Sequence, residues 1–170
     1  MKDVEFLCVL FLAAMAVILD LWKGKIPNVL TFAGVAVGGV FQFTNYGYMG
    51  IILFLGGACT PLLVLGALYY FRMIGAGDIK LFCALGGFLG SVKILTGIFI
   101  AFLVGAGISV ILILWRRNLW SRLAYFYAYI SNYFYSKKWV PYRRDEDVDS
   151  HMHFSVPILI SIILYVGGFY

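Results

Sequence analysis

Two aspartates stand apart from the other acids of this chain. The sequence has eight Asp and Glu residues. Asp3 and Glu5 sit in the polar start, and Asp145, Glu146, Asp147 and Asp149 form one acidic run. Asp20 and Asp78 each lie where a long apolar run meets polar sequence. A carboxylate at the edge of a membrane span is costly, which marks it for function. Two carboxylates brought together share a proton, because both cannot ionise easily. One then acts as general base on a water. The other acts as general acid towards the carbonyl oxygen or the leaving nitrogen. That chemistry is peptide hydrolysis without a covalent intermediate, metal or cofactor.

The surroundings of Asp78 fit the same chemistry. In Gly75-Ala76-Gly77-Asp78-Ile79-Lys80 the two glycines allow a sharp turn and close approach of a substrate backbone. Lys80 is placed to orient the aspartate or to contact substrate, with a plain anchoring charge as the alternative. Asp20 should end its helix and Asp78 should begin one. Helix dipoles then make Asp78 the more readily ionised and Asp20 the proton holder. No nucleotide loop is present, since no Gly-Lys-Ser/Thr follows the glycines. The three cysteines lie far apart inside apolar runs and read as small buried residues, with no zinc spacing. His151 and His153, beside the acidic run, read as part of a polar loop rather than a metal site. The acidic run itself reads as a solvated loop, with attraction of a basic substrate as the sharper alternative.

The elements that carry these residues must be membrane helices. The 170 residues are 63% hydrophobic and 12% charged, with mean hydropathy +0.95. Ordinary soluble domains are about 45–50% apolar and about 25% charged. The apolar runs are continuous rather than alternating, which favours helices over a barrel. At about 20 apolar residues per crossing, the chain has room for about five to seven spans. The expected fold is all-α and integral to the membrane, with six helices forming one domain over 1–170.

The first span covers 6–19, closed by Asp20, and is retained because the polar start lacks a basic n-region. Lys23-Gly24-Lys25-Ile26-Pro27-Asn28 is a tight connection. Pro27 stops a helix and Asn28 is placed to cap the next. Spans follow at 29–43, at 50–71 with a kink expected at Pro61, at 79–90 as a short and partly embedded helix, at 94–115, and from Phe154 onward. The uncharged turn 44–48 carries two interfacial tyrosines. Within the polar loop 116–153, Leu119, Leu123, Phe126, Ile130 and Phe134 recur at helical spacing and predict an interfacial amphipathic helix. Eleven of the thirteen Lys and Arg residues fall in three loops, after the first, third and fifth spans. By the positive-inside rule that side is cytoplasmic, both aspartates face it, and both termini lie outside.

Gly75-Ala76-Gly77-Asp78-Ile79-Lys80 resembles the GxGDxK motif of the type IV prepilin peptidases, membrane aspartyl proteases that include archaeal preflagellin peptidases. Asp20, followed by Lys25-Ile26-Pro27-Asn28 and Leu30-Thr31, resembles the family's first catalytic aspartate and the motif behind it. The short form is similar to the TadV/CpaA-type peptidases of tight-adherence (Flp) pilus systems. The resemblance covers nearly the whole chain. It implies cleavage of a short basic leader on the cytoplasmic side, usually after a glycine and ahead of the pilin's apolar helix, with Asp20 and Asp78 catalytic. It also implies cleavage without N-methylation, since the extra cytoplasmic domain of two-activity members has no counterpart here. The partners implied are a prepilin and the lipid bilayer, with no nucleic acid. Two other readings compete: a proton-coupled carrier with the aspartates as a relay, and a non-catalytic assembly factor. Both aspartates at one face, rather than at the midplane, argue against the carrier.

Overall fold

The computed structural model describes residues 2–115 and 153–169. Among them are six helices and no strands. They are α1 (Lys2–Lys23), α2 (Asn28–Tyr46), α3 (Tyr48–Tyr70), α4 (Ala76–Leu89), α5 (Ser91–Trp115) and α6 (Ser155–Val166). The chain is thus an all-α integral membrane protein. The interfacial helix expected near 119–134, and the acidic run, lie outside the described residues. Contacts divide the chain into one unit of Met1–Val104 with His153–Tyr170 and another of Gly105–Met152. Both aspartates belong to the first. Of the second, only 105–115, the end of α5, is among the described residues.

Four helices, α1, α2, α3 and α5, are long and apolar enough to cross a bilayer. At 1.5 Å per residue α4 is about 21 Å long and α6 about 18 Å, against a hydrocarbon core of about 30 Å. The short helices are the inner ones. On α4, Ile79, Leu81, Phe82, Leu85, Phe88 and Leu89 are all buried. A helix apolar and buried on nearly all sides belongs at the centre of a fold. α2, α3 and α1 all pack on it. α6 packs on α1 and contributes Ile158 and Ile162 to the same core. The outer helices turn Phe11, Phe32, Leu63 and Phe99 outward, as a lipid-facing surface requires.

α3 and α4 approach each other at backbone contact. A Cβ at Gly57 would meet the Gly86 carbonyl, and a Cβ at Gly86 would meet the Gly57 carbonyl. Such backbone contact is how membrane helices pack when small residues face each other. Pro61 lies four residues after Gly57 within α3 and has no N–H to give to its carbonyl. That carbonyl is free to lie against α4.

Two boundaries differ from the sequence reading. α1 continues three residues past Asp20, so the aspartate sits in the last turn rather than ending the helix. The expected turn at 44–48 contracts to Gly47, whose φ of 58° reverses the chain between α2 and α3.

Candidate active site

Asp20 reaches the site from the last turn of α1. Its carbonyl accepts the Gly24 N–H at 2.8 Å, and Gly24 has a φ of 64° that closes the helix. Its side chain points inward, and the residue is 8% exposed. The same carboxylate oxygen, Oδ2, meets the Ser155 Oγ at 2.6 Å and the His153 Nδ1 at 3.1 Å. Ser155 donates its hydroxyl proton. With a carboxylate opposite, Nδ1–H is the donor form of the ring.

Asp78 enters from the first turn of α4, ahead of its apolar run and outside the four long helices. Its carboxylate folds back to accept the Gly75 N–H at the N-cap position. This is half of a capping box, with aspartate as the reaching residue. Burial pushes the Asp78 carboxyl up to about 6, and the charge of Asp20 pushes the same way. The Gly75 N–H and His153 oppose the shift and are outweighed. Two carboxylates from helices far apart in sequence thus interact directly in charge. At Asp78, burial and the Asp20 charge outweigh the favourable helix N-terminus, so its carboxyl binds a proton more readily than usual.

The glycines act differently from expectation. Gly75 has an extended backbone (φ −75°, ψ 144°), which any residue adopts. The left-handed residue of this turn is Arg72, at φ 57°. Gly75 matters for space, because a Cβ there would lie 3.0 Å from the Asp78 Oδ2. At Gly77 a Cβ would make ordinary contact, 3.5 Å, with Ile26. Ile26 itself is buried from the α1–α2 connection and belongs to the core.

Asn28 is not the cap of α2. Pro27 takes that position, with no side-chain cap bond, and Asn28 is the first helical residue. The Asn28 side chain is used elsewhere: its Oδ1 accepts the Lys80 ammonium at 2.8 Å. Lys80 thus ties the α1–α2 connection to α4. Pro27 serves by fixing the entry to α2, with its carbonyl accepting the Leu30 N–H at 3.2 Å.

Sequence reasoning missed Ser155 altogether and left His153 in a polar loop. Neither has a local pattern that marks it; the only signal was proximity to the start of the last apolar run. His151 lies outside the described residues, and no group of three metal-ligating side chains occurs among those described.

A family model described as the type IV leader peptidase family matches residues 6–110, more than half of the chain. The match contains Asp20, the α1–α2 connection and Asp78, and stops before His153 and Ser155. No curated protein and no solved structure matches the chain significantly.

Proposed function

The chain belongs to the type IV leader peptidase family, and on that premise we propose that it removes the short basic leader of a type IV prepilin of the Flp class, by a mechanism in which Asp20 and Asp78 activate water. In this reading it is a short peptidase of the TadV/CpaA type. The observation that carries the proposal is electrostatic. Asp20 receives two hydrogen bonds on one oxygen, while the neighbouring Asp78 has its carboxyl raised to about 6. One base and one acid are thereby available together near neutral pH.

Asp20 takes a proton from water as the water oxygen attacks the scissile carbonyl carbon. Asp78 gives its proton to the carbonyl oxygen, and a tetrahedral diol forms. The proton held on Asp20 then passes to the leaving nitrogen as the C–N bond breaks, and Asp78 recovers its proton from the diol hydroxyl as the carboxyl product forms. Atoms and charges balance with no other reactant than water. The charge pattern of the loops supports a site on the cytoplasmic face with both termini outside. There a basic leader lies in water and the pilin's apolar helix lies in the bilayer beside α1–α6. Gly75 and Gly77 leave backbone accessible at the start of α4 for an extended substrate segment.

The test is co-expression with a prepilin, reading the size shift by gel and the cut by mass spectrometry. Cleavage by the wild type, and its loss in both Asp20→Asn and Asp78→Asn with the proteins still in the membrane, is the expected result. Cleavage surviving either substitution removes that aspartate from the mechanism.

A further inference from the structure

We propose that His153 and Ser155 are positioning residues that hold the Asp20 carboxylate, by way of Oδ2, as the oriented anion of the aspartate pair. The proposal rests on the reading of Asp20 and Asp78 as the catalytic pair, and extends it to a third element, the start of α6. That segment lies outside the residues matched by the family model.

Ser155 is the first residue of α6, one position past the N-cap Phe154. The Ser155 hydroxyl crosses to Asp20 on α1 at 2.6 Å. The residue is wholly buried, so water does not replace that bond. The buried hydroxyl is thus committed to one carboxylate 135 positions away.

The second observation is convergence. His153 arrives at the same oxygen, from the same segment, at 3.1 Å. Two donors on Oδ2 fix the carboxylate plane and leave the other oxygen, Oδ1, with no hydrogen-bond partner among the described residues. An oriented carboxylate with one occupied and one open oxygen is what a base needs to meet a water from a fixed direction. The α1–α6 packing, through Ile158 and Ile162, holds the donors in place from behind.

The charged surroundings of this contact are known among the described residues. Asp78 faces it from α4 and interacts with both Asp20 and His153. Lys80, also on α4, is held by Asn28. Lys23 and Lys25 lie exposed where the chain leaves α1. His153 is the donor to Asp20 that can carry charge, and Ser155 is the neutral one.

The experiment uses the full chain in proteoliposomes and two readouts. The first is the infrared carboxyl band of the aspartate pair, followed against pH and assigned by its loss in Asp78→Asn. Donors to the anion favour ionisation, so their removal lets the pair protonate at higher pH. Ser155→Ala and His153→Ala are each expected to move the midpoint up by about one pH unit. The second readout is cleavage of a synthetic prepilin segment with a basic leader, a glycine and the first turns of an apolar helix. There kcat should fall roughly ten-fold or more, with KM changed less than about two-fold. His153→Asn, whose side-chain N–H stands in for Nδ1–H, should recover most of both. A midpoint unmoved in His153→Ala and Ser155→Ala overturns the proposal, whatever happens to turnover. Should Ser155→Ala fail to accumulate, His153, a one-third exposed side chain, carries the same decision. Midpoint shifts as expected, in a protein whose wild type leaves the prepilin segment uncut, keep the positioning pair and overturn the peptidase mechanism instead.

Discussion

Lys80 gives a hydrogen bond to the Asn28 Oδ1 at 2.8 Å, and that contact joins two motifs 52 positions apart. One motif follows Asp20 and the other contains Asp78. The pair is exposed, so it contributes little to overall stability. Its effect is on registration: it ties the start of α4 to the connection behind α1. Lys80→Ala and Asn28→Ala should each lower turnover several-fold. The double variant should be no worse than the worse single one. A double-mutant cycle on kcat/KM checks this, and the expected coupling is about 0.5–1.5 kcal/mol. Strict additivity would show that the two residues act separately.

Asp78 carries an opposition between stability and activity. Its raised pKa means that the folded protein binds the proton more tightly than the unfolded chain does. Stability is then greatest below the ordinary carboxylate range, and falls as pH rises from about 4 to about 6. Above about 6 the folded protein holds a partly buried anion beside Asp20 at a cost of roughly 1–3 kcal/mol. Asp78→Asn removes that cost. The variant should melt higher than wild type at pH 7.5, with the difference shrinking towards pH 4, while cleavage is lost. Thermal melts in detergent across that range measure it. A variant that melts lower than wild type at pH 7.5 would mean that the Gly75 hydrogen bond outweighs burial.

The α3–α4 crossing predicts a sharp contrast between glycines. At Gly57 and Gly86 a Cβ would run into the opposing carbonyl, with backbone on both sides and nothing flexible to yield. Gly57→Ala and Gly86→Ala should each cost about 1–3 kcal/mol and displace the start of α4 enough to reduce cleavage. Gly66, on the same helix as Gly57, has open space around it. Gly66→Ala should be neutral or slightly stabilising, since alanine favours the helix by up to about 1 kcal/mol. Melting temperatures of the three variants decide the point.

These relationships were legible in the sequence to different depths. Asp20 and Asp78 could be found because an acid at the end of an apolar run is rare and costly, so position alone marks it. The helices were legible because continuous apolar runs have few alternatives in a bilayer. What position does not reveal is how two groups trade charge. The dipole argument considered only the helix end, whereas burial raises the Asp78 carboxyl, and that burial depends on packing around α4. Ser155 was invisible because a serine at a helix start is ordinary, and its partner lies 135 positions away. Asn28 looked like a cap for the same reason: the local use of its side chain was plausible, and the actual use, Lys80, is distant. Long-range polar contacts were thus the illegible part, and apolar pattern the legible one.

The last prediction separates the two ends of α1. Near its start, Glu5 accepts the Tyr165 hydroxyl at 3.1 Å. The Lys93 ammonium lies 2.8 Å from that hydroxyl and 5.2 Å from the centre of the same ring. Lys93 and Glu5 are 3.8 Å apart, and the Phe6 ring packs edge-on against Tyr165. This cluster ties α1, α5 and α6 together about 22 Å along the helix from Asp20, at 1.5 Å per residue. Tyr165→Phe keeps the ring contacts and removes the hydroxyl between the two charges. It should destabilise by about 1–2 kcal/mol, while kcat of the folded fraction stays within about two-fold of wild type. Lys93→Met should behave alike, because the Glu5 carboxylate then loses its cation as well. Melting temperature and kcat measured on the same preparations provide the check. A large loss of kcat with unchanged melting would mean that this end of α1 transmits its position to Asp20, and that the bundle is more rigid along its length than two separate polar clusters imply.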